Sequence, residues 1–396
     1  MPGSVIVAGA RTPIGKLMGA LSSVSAVDLG AHAIGAALAA APLDPAAVEA
    51  VVMGHVVQAG AGPNPARQAA IRAGIPYSVP ASTVNKLCLS GLHALALADL
   101  MIASGRHEVV VAGGMESMSG APHLLRGART GWKYGPAAVE DALDRDALVC
   151  AFDGVSMGAA TERYQRPFGL TREEQDEYSA LSHQRAVRAQ ESGALADEIV
   201  PFTVTGRHGE SVVDTDEGVR PGSTAESLGR LRPAFSDGGT VTAGNSSQLS
   251  DGAAALLVMS ADRARREGMT PLAEIGAYGT VAGPDPSLLV QPAGAVRDAL
   301  SRDGRFKAAD LDLFEINEAF AGVALASLRE LDLPLEKVNV NGGAIALGHP
   351  VGMTGARLVL TLAAELRRRG GGTGAAALCG GGGQGDALLL HVPAQA

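Results

Sequence analysis

The run "VNVNGGAIALGHPVGMTGARLVLTLAAELRRRG" (338–370), followed by the strand-like "TGAAALCGG" (373–381), decides the fold because its plan occurs twice in the chain. The earlier copy is "TVNKLCLSG…ASGRHEVVVAGG" (83–114). Each copy has a Val-Asn dipeptide, a reactive residue, a helix, an arginine near the helix end and a strand that ends in Gly-Gly. Cys88 of the first copy corresponds roughly to His349 of the second. The repeated order predicts an internal duplication, although the spacings differ by several residues.

Strand-like apolar runs alternate with helix-like runs along the chain, which is typical of an α/β protein. "SVIVAGA" (4–10) and "EVVVAGG" (108–114) are predicted to be buried strands, and "LSGLHALALADLMIASG" (89–105) a helix that is buried on nearly all sides. Glycine accounts for 52 of the 396 residues and aromatic residues for only 3%. A core of small residues predicts backbones that approach each other closely.

A more charged region separates the two copies and contains most of the aromatic residues. We therefore predict two similar α/β halves, 1–118 with 246–270 and 271–396, and an inserted loop domain, 119–245. Within the insertion, "LTREEQDEYSALSHQRAVRAQESG" (170–193) is predicted to be an exposed amphipathic helix that starts with a Thr-x-x-Glu capping box and has a glycine at its end.

Charge and composition exclude several classes of protein. The net charge is −9 and there is no basic tract, so nucleic acid is not an expected partner. The three cysteines form neither a disulfide framework nor a metal-ligand spacing. The sequence has no signal-peptide pattern and no apolar run long enough to span a membrane. We expect a cytoplasmic protein without a metal or membrane association.

The glycine string "LCGGGGQG" (378–385) contains Gly380, Gly382 and Gly385 in the pattern G-x-G-x-x-G. A dinucleotide-binding loop needs a helix after the glycines, to hold the pyrophosphate. Here only another strand-like run follows, so that interpretation is weak. The alternative is that the glycines make room for a substrate beside Cys379. Without side chains, the backbone lets the substrate approach and exposes N–H groups to a developing oxyanion.

Other residues are candidates for chemistry by their setting. Cys88 directly precedes a predicted helix, whose N-terminus would favour the thiolate, although a lone cysteine is more often buried in a core. His349 lies in a Gly-His-Pro turn. Asn317 and Glu318 follow the apolar strand "LDLFEI", where polar residues are good site candidates, but Asn317 could also be a simple helix cap.

Together, "NKLCLSG", "NEAF", "NGGAIALGHPVGMTGAR" and "LCGGGGQG", in this order and at these separations, resemble the thiolase superfamily, and most closely its biosynthetic short-chain type. The resemblance extends over essentially the whole chain. It implies two similar mixed-sheet halves stacked in five layers, α-β-α-β-α, with an inserted loop domain. It also implies a reversible condensation of two acetyl-CoA molecules to acetoacetyl-CoA and CoA, through an acyl-cysteine intermediate.

The resemblance assigns a role to each reactive residue. Cys88 would be the nucleophile that accepts the acyl group, and His349 would activate it and help to hold the thioester oxygen. Cys379 would be the acid/base that removes the Cα proton of the second acetyl-CoA. A water positioned by Asn317 would join His349 in holding the enolate oxygen. The N–H groups of Cys88 and Gly381 would form a second oxyanion hole.

The resemblance also places CoA, as a substrate and not as a bound cofactor, on the inserted region. Ser156 stands where the family usually carries a histidine, and this puts the acyl-chain length in doubt. The loop 118–135 resembles the segment through which such enzymes form tetramers, so we expect a homotetramer, a dimer of dimers. The predicted CoA contacts are Arg220, Ser227 and Ser247, and the predicted lining of the pantetheine tunnel is Met157, Ala243, Ala319 and Phe320.

Four alternatives remain open. A 3-ketoacyl-CoA thiolase of broader chain length, working in fatty-acid β-oxidation, differs only in its substrate range. A decarboxylating ketoacyl synthase usually uses two histidines, where this chain has Asn317 and Cys379. A dinucleotide-dependent oxidoreductase is suggested by the glycine string alone. A non-catalytic binding protein of this fold would be expected to have lost one of its three reactive residues, and all three are present. Without the family resemblance, Arg220 would be interpreted as an ordinary solvated charge in a loop.

Overall fold

The computed structural model describes residues 3–206 and 209–394, and a ten-stranded mixed sheet runs through it. The strands are β1 (Ser4–Arg11), β2 (Gly15–Lys16), β3 (Ala50–Gly54), β4 (Ala81–Val84), β5 (Val109–Ser117), β6 (His123–Leu124), β7 (Glu140–Asp141), β8 (Phe202–Gly206), β9 (Gly209–Val213), β10 (Ser250–Ser260), β11 (Ala273–Ala282), β12 (Leu313–Ile316), β13 (Gly372–Gly380) and β14 (Gln384–Val392). The α-helices are α1 (Ala26–Ala39), α2 (Pro65–Arg72), α3 (Ser90–Ala103), α4 (Met157–Tyr164), α5 (Arg172–Glu191), α6 (Ala225–Gly229), α7 (Ala261–Arg266), α8 (Gln291–Asp303), α9 (Ala321–Leu331), α10 (Ala344–Leu347) and α11 (Thr354–Arg368).

The strand order repeats, which confirms the predicted duplication. In the first half β3 is parallel to β4 and β5, and β5, β10 and β1 follow in antiparallel order. In the second half β12 is parallel to β13, and β13, β14 and β11 follow in antiparallel order. A parallel bridge between Phe314 and Val338 takes the place of the β3–β4 pairing.

The two half-sheets join edge to edge, which the sequence did not predict. The junction between β1 and β11 consists of the antiparallel pairs Val5–Glu274 and Ile6–Ala273. Beyond this short junction the halves separate. The interior between them is filled by helices.

Helices and half-sheets form the five layers that the resemblance implies. α1 and α2 cover the outer face of the first half, and α8 and α9 cover the outer face of the second. α3 and α11 contact each other and lie between the two halves, in the largest apolar cluster. Since burying apolar surface is the main favourable term in folding, this central layer is what holds the halves together.

Small residues allow a very close approach beside the central layer. A Cβ atom added to Gly114, on β5, would lie 1.9 Å from the carbonyl oxygen of Gly352. No side chain fits in that space. The backbone of the turn before α11 therefore packs directly against β5, which confirms the predicted close approach of backbones. This contact places His349, in the same turn, at the edge of the first half.

The inserted region contains two hairpins, β6–β7 and β8–β9, together with α4, α5 and α6. α5 starts at the predicted capping box, and Gly193 after its end has a positive φ of 76°. The prediction that this helix is exposed was wrong, because ten of its residues are buried. Many of them are polar, and they pack against α9 and α10 rather than facing solvent. The domain boundaries stay a prediction.

Candidate active site

One cavity brings together most of the residues that the sequence singled out. Cys88, His349, Cys379 and Gly381 all line it, although they come from two different halves of the chain. Three predicted tunnel residues and one predicted CoA contact also line it: Met157, Ala319, Phe320 and Ser247. The lining is completed by Val56, Leu87, Ala147, Leu148, Leu288 and Val351.

Cys88 lies in a tight turn between β4 and α3. The residue before it, Leu87, has a left-handed φ of 52°, which a branched side chain adopts only when its surroundings enforce it. Asn85 Oδ1 accepts the Leu87 N–H at 3.0 Å. Ser90 Oγ accepts the Lys86 N–H at 2.8 Å and donates to the Leu87 carbonyl oxygen at 2.6 Å. These bonds hold the thiol at the cavity wall.

The surroundings of Cys88 favour the thiol over the thiolate. Burial raises the pKa of this thiol to about 11, and the negative charge of Glu116 adds to the effect. The backbone N–H groups of Gly381 and of Cys88 itself point at the sulfur and lower the pKa, but they do not outweigh burial. Burial thus opposes the effect expected from the helix start, which stays a prediction. A base is needed.

His349 has the properties of that base. Its Nδ1 lies 2.7 Å from Thr354 Oγ1, and the Thr354 hydroxyl donates its only proton to the Pro350 carbonyl oxygen at 2.9 Å. The hydroxyl must therefore accept from Nδ1–H, which leaves Nε2 without a proton. Burial, and then the positive charge of Arg357, lower the pKa of His349 to about 3. At neutral pH the imidazole is uncharged, with its lone pair at Nε2. The lowered pKa makes it a weak base in the resting site, so it holds the Cys88 proton only where the negative charge of the thiolate or of an oxyanion raises that pKa.

Asn317 follows β12, as predicted, and extends the ladder by donating its N–H to the Ala377 carbonyl oxygen at 2.9 Å. Its Nδ2 lies 3.4 Å from His349 Nε2, and its buried Oδ1 has no partner among the described residues. The helix-cap alternative is wrong, because the N-cap of α9 is Phe320. Asn317 is thus fully buried beside His349 but does not itself line either of the cavities described here.

The neighbouring Glu318 is structural and does not line the cavity. Its Oε1 accepts from Tyr178 Oη and Asn339 Nδ2, both at 3.0 Å. Its Oε2 accepts from Ser182 Oγ at 2.7 Å and from the Ile345 N–H at 3.1 Å. This carboxylate ties α5 and the start of α10 to the segment that contains Asn317.

Cys379 and Gly381 lie at the turn of the β13–β14 hairpin. Cys379 is fully buried, and burial together with the nearby Cys88 raises its pKa well above the usual range. A Cβ at Gly381 would lie 2.8 Å from Leu87 Cδ1 and 3.2 Å from Met157 Cε, so only glycine keeps this wall of the cavity open. A strand follows the glycines, so the helix that a dinucleotide loop requires is not there.

A second cavity of about 410 Å³ adjoins the first and extends toward the inserted region. The predicted tunnel residue Ala243 and the unusual Ser156 line it, and four residues line both cavities. The shared residues are Leu148, Met157, Ser247 and Phe320. The two cavities are therefore adjacent, and only the first is lined by Cys88.

Two of the predicted CoA contacts lie outside both cavities. Arg220 is exposed, and its Nη2 lies 3.4 Å from Oε1 of Gln248, a residue that lines the second cavity. Its N–H donates to His183 Nδ1 at 3.2 Å. The Ser227 hydroxyl is engaged with Thr224 in the capping box of α6. Arg220 therefore contacts the lining of the second cavity, and Ser227 is exposed on the surface.

Sequence reasoning missed two residues that hold the site. Thr354 fixes the tautomer of His349, but a threonine at a helix start carries no distinctive signal. The carboxylate of Glu116, on β5, accepts the N–H groups of Val56 at 3.0 Å, Val57 at 3.1 Å and Gly352 at 2.9 Å. It thereby joins a wall of the cavity to the turn that carries His349. The sequence signal that could have identified Glu116 is an acidic residue within the otherwise apolar strand β5.

Neither a metal cluster nor a membrane-spanning helix is present among residues 3–206 and 209–394. No group of three or more His, Cys, Asp or Glu side chains could hold a metal ion there. No helix of this part of the chain is long and apolar enough to cross a bilayer.

Comparison with known proteins identifies the family. Models of the thiolase N-terminal domain and the thiolase C-terminal domain match residues 4–262 and 269–392. A probable acetyl-CoA acetyltransferase of Mycobacterium leprae is 56% identical over 391 residues, 98% of this chain and 99% of the relative. The acetyl-CoA acetyltransferase of Cupriavidus necator is 49% identical over 366 residues, 92% and 93% of the two chains. The crystal structure of the Bacillus anthracis acetyl-CoA acetyltransferase superposes with a TM-score of 0.97, at 42% identity and 99% coverage of both chains. The chain therefore belongs to the thiolase family.

Proposed function

We propose that the protein is an acetyl-CoA C-acetyltransferase, which condenses two acetyl-CoA molecules reversibly to acetoacetyl-CoA and CoA. The observation that carries the proposal is one cavity that contains two cysteines and a neutral imidazole with an unprotonated Nε2. The names of the similar proteins from M. leprae, C. necator and B. anthracis support the same activity.

In the first half-reaction His349 Nε2 takes the thiol proton of Cys88, and the sulfur attacks the thioester carbonyl carbon. The N–H groups of Cys88 and Gly381 stabilise the oxyanion. The carbon–sulfur bond to CoA then breaks, and the Cys379 thiol gives its proton to the departing CoA. This leaves an acetyl group on Cys88, a protonated His349 and a Cys379 thiolate.

In the second half-reaction the Cys379 thiolate removes the Cα proton of a second acetyl-CoA. A thiol of raised pKa is a strong base once it is ionised, which suits a weakly acidic C–H bond. His349 and a water held by Asn317 donate to the enolate oxygen. The enolate carbon attacks the acetyl group, the bond to Cys88 breaks, and Cys88 regains its proton from His349.

The part of the substrate beyond the thioester, the pantetheine arm and the nucleotide of CoA, would lie along the two adjoining cavities. Arg220 and Ser227 would lie near the nucleotide. Ser156, on the wall of the outer cavity, is the residue to test for acyl-chain length. A homotetramer formed through the loop 118–135 is part of the proposal, and the exposed side chains of Trp132 and Tyr134 in that loop support it. A cytoplasmic location and a place in fatty-acid metabolism stay predictions.

The decisive experiment is the intact mass of the protein after it is mixed with acetoacetyl-CoA. We expect one added acetyl group on the wild type and on Cys150→Ala, which removes a buried cysteine outside the catalytic cavity. Cys88→Ala should show none. A wild type that binds CoA but is not acylated would contradict the proposal. A series of longer 3-ketoacyl-CoA substrates separates the acetyltransferase from the thiolase of broader range, because only the latter would be acylated as fast by long chains as by short ones.

A further inference from the structure

An ion pair crosses from the first half of the molecule to the second directly behind the catalytic cavity. Lys86 Nζ lies 2.7 Å from Oδ1 and 3.0 Å from Oδ2 of Asp386. The Asp386 side chain is completely buried, and the Lys86 side chain is 20% exposed. Neither residue lines the cavity or takes part in the proposed proton transfers.

Each partner belongs to an element that carries catalytic groups. Lys86 is two residues before Cys88, in the same tight turn. Asp386 is on β14 and pairs with Leu378 on β13, next to the pair formed by Cys379 and Gly385. The ion pair thus connects the nucleophile turn to the hairpin that supplies both the second cysteine and the N–H group of Gly381.

The surroundings hold this pair in one geometry. Thr280 Oγ1 donates to Asp386 Oδ1 at 2.7 Å, and Tyr278 Oη lies 3.2 Å from Lys86 Nζ. His93 Nδ1 is 4.0 Å from Asp386 Oδ2. Burial and then the Lys86 charge lower the pKa of His93, while burial and the Asp386 charge raise that of Tyr278. The pKa values of the neighbouring His93 and Tyr278 thus depend on the charges of Lys86 and Asp386.

The nucleophile turn needs such an attachment because its backbone is strained at Leu87. Left-handed backbone at a residue other than glycine is sterically unfavourable and persists only when surrounding contacts enforce it. Asn85 and Ser90 enforce it from within the turn and its own helix. Those contacts fix the shape of the turn but not its distance from the other half.

We propose that Lys86 and Asp386 are positioning residues, which set the place of Cys88 relative to Cys379 and to the Gly381 N–H. The proposal rests on the thiolase chemistry proposed above. If the pair is lost, the turn and the hairpin are held only by apolar packing, such as that of Leu87 and Leu89 against the hairpin glycines, which fixes their separation less exactly. A misplacement of about 1 Å at a reacting centre lowers a rate by roughly a hundredfold.

The test measures two rates in the full-length protein: acetylation of Cys88 by acetoacetyl-CoA, and exchange of the Cα protons of acetyl-CoA for deuterium, which needs Cys379. The variants are Lys86→Met, Asp386→Asn and the double variant, with Lys86→Arg as the conservative replacement. We expect both rates to fall about ten- to a hundredfold in the first three variants, with KM for acetyl-CoA within about twofold, and to recover mostly in Lys86→Arg.

Controls separate positioning from loss of folding. Glu108→Gln removes surface ion pairs with Arg263 and Arg266, far from the hairpin, and should keep the wild-type rates. Wild-type rates in Lys86→Met would overturn the proposal. Full recovery in the double variant would overturn it as well, since the unpaired buried carboxylate, and not the lost attachment, would then be the cause. Failure of the proposed function itself would appear separately, as a wild type that is not acetylated.

Discussion

The Nδ1 atom of His349 lies 2.7 Å from the hydroxyl oxygen of Thr354, five residues further along the chain. Because that hydroxyl donates to the Pro350 carbonyl oxygen, the contact selects the tautomer in which Nε2 carries the lone pair. A residue that touches no substrate thus decides which nitrogen can take a proton.

Replacing this hydroxyl should slow acylation. Thr354→Val keeps the shape of the side chain but lets the proton occupy either ring nitrogen. We expect the rate of acyl-enzyme formation, followed by mass spectrometry, to fall about a hundredfold, at the lower limit of what a general base contributes. Thr354→Ser should retain most of the rate and the wild-type pH profile. Equal losses in both variants would mean that Thr354 acts through packing alone.

The raised pKa of Cys88, about 11, predicts how the resting thiol reacts. The rate of alkylation by iodoacetamide should rise about tenfold for each pH unit between pH 8 and 10, because the thiolate fraction rises in that proportion below the pKa. Cys88→Ala provides the background from the other two cysteines. A plateau that begins below pH 8 would show that the resting protein already holds a thiolate.

His183 should make the protein less stable in acid. Burial, and then the charge of Arg220, lower its pKa from the usual 6.5 to about 4. The unfolded chain therefore binds a proton below pH 6.5 that the folded protein does not bind until about pH 4. The resulting stabilisation is complete above pH 6.5 and is lost as the pH falls, in total roughly 3 kcal/mol. Urea unfolding from pH 7 to 4 should show a shallower decline in His183→Gln, and an unchanged one in His123→Gln, which replaces an exposed histidine.

An added methyl group at Gly381 should harm catalysis more than folding. In Gly381→Ala the new Cβ meets Leu87 Cδ1 at 2.8 Å and Met157 Cε at 3.2 Å, so it narrows the cavity beside Cys88. We expect a clear loss of kcat with a melting temperature within a few degrees of the wild type. The matched control is Gly35→Ala in α1, where no atom lies within 4 Å and the helix should gain about 0.5–1 kcal/mol. Equal activity of Gly381→Ala and Gly35→Ala would contradict the assignment of Gly381 to the cavity wall beside Cys88.

Much of the fold was predictable from the sequence because the duplication repeats whole elements, each with its own apolar pattern. The residues that line the cavity could be singled out for a related reason, since Cys88, His349 and Cys379 lie in short motifs at the ends of those elements. The junction between β1 and β11 was not, because two residue pairs leave no pattern. The buried face of α5 was missed because hydrophobic periodicity detects only apolar burial, and this face is largely polar.

The protonation states within the site were harder to predict than the residues that form it. The protonation of Cys88 depends on how much solvent the folded cavity excludes, and no local sequence reports that quantity. The tautomer of His349 depends on a hydrogen bond whose donor and acceptor are settled only when the Pro350 carbonyl is in place. In both cases the determining factor is tertiary.

The repeated architecture allows one site to contain two unlike reactive groups. In a symmetric dimer of identical halves, equivalent positions would carry the same side chain. Here both halves belong to one chain, so Cys88 before α3 and His349 before α11 need not match, and the contact between these helices lies beside the cavity that both residues line. A single chain can therefore place a thiol and an imidazole at related positions, which a symmetric homodimer could not do.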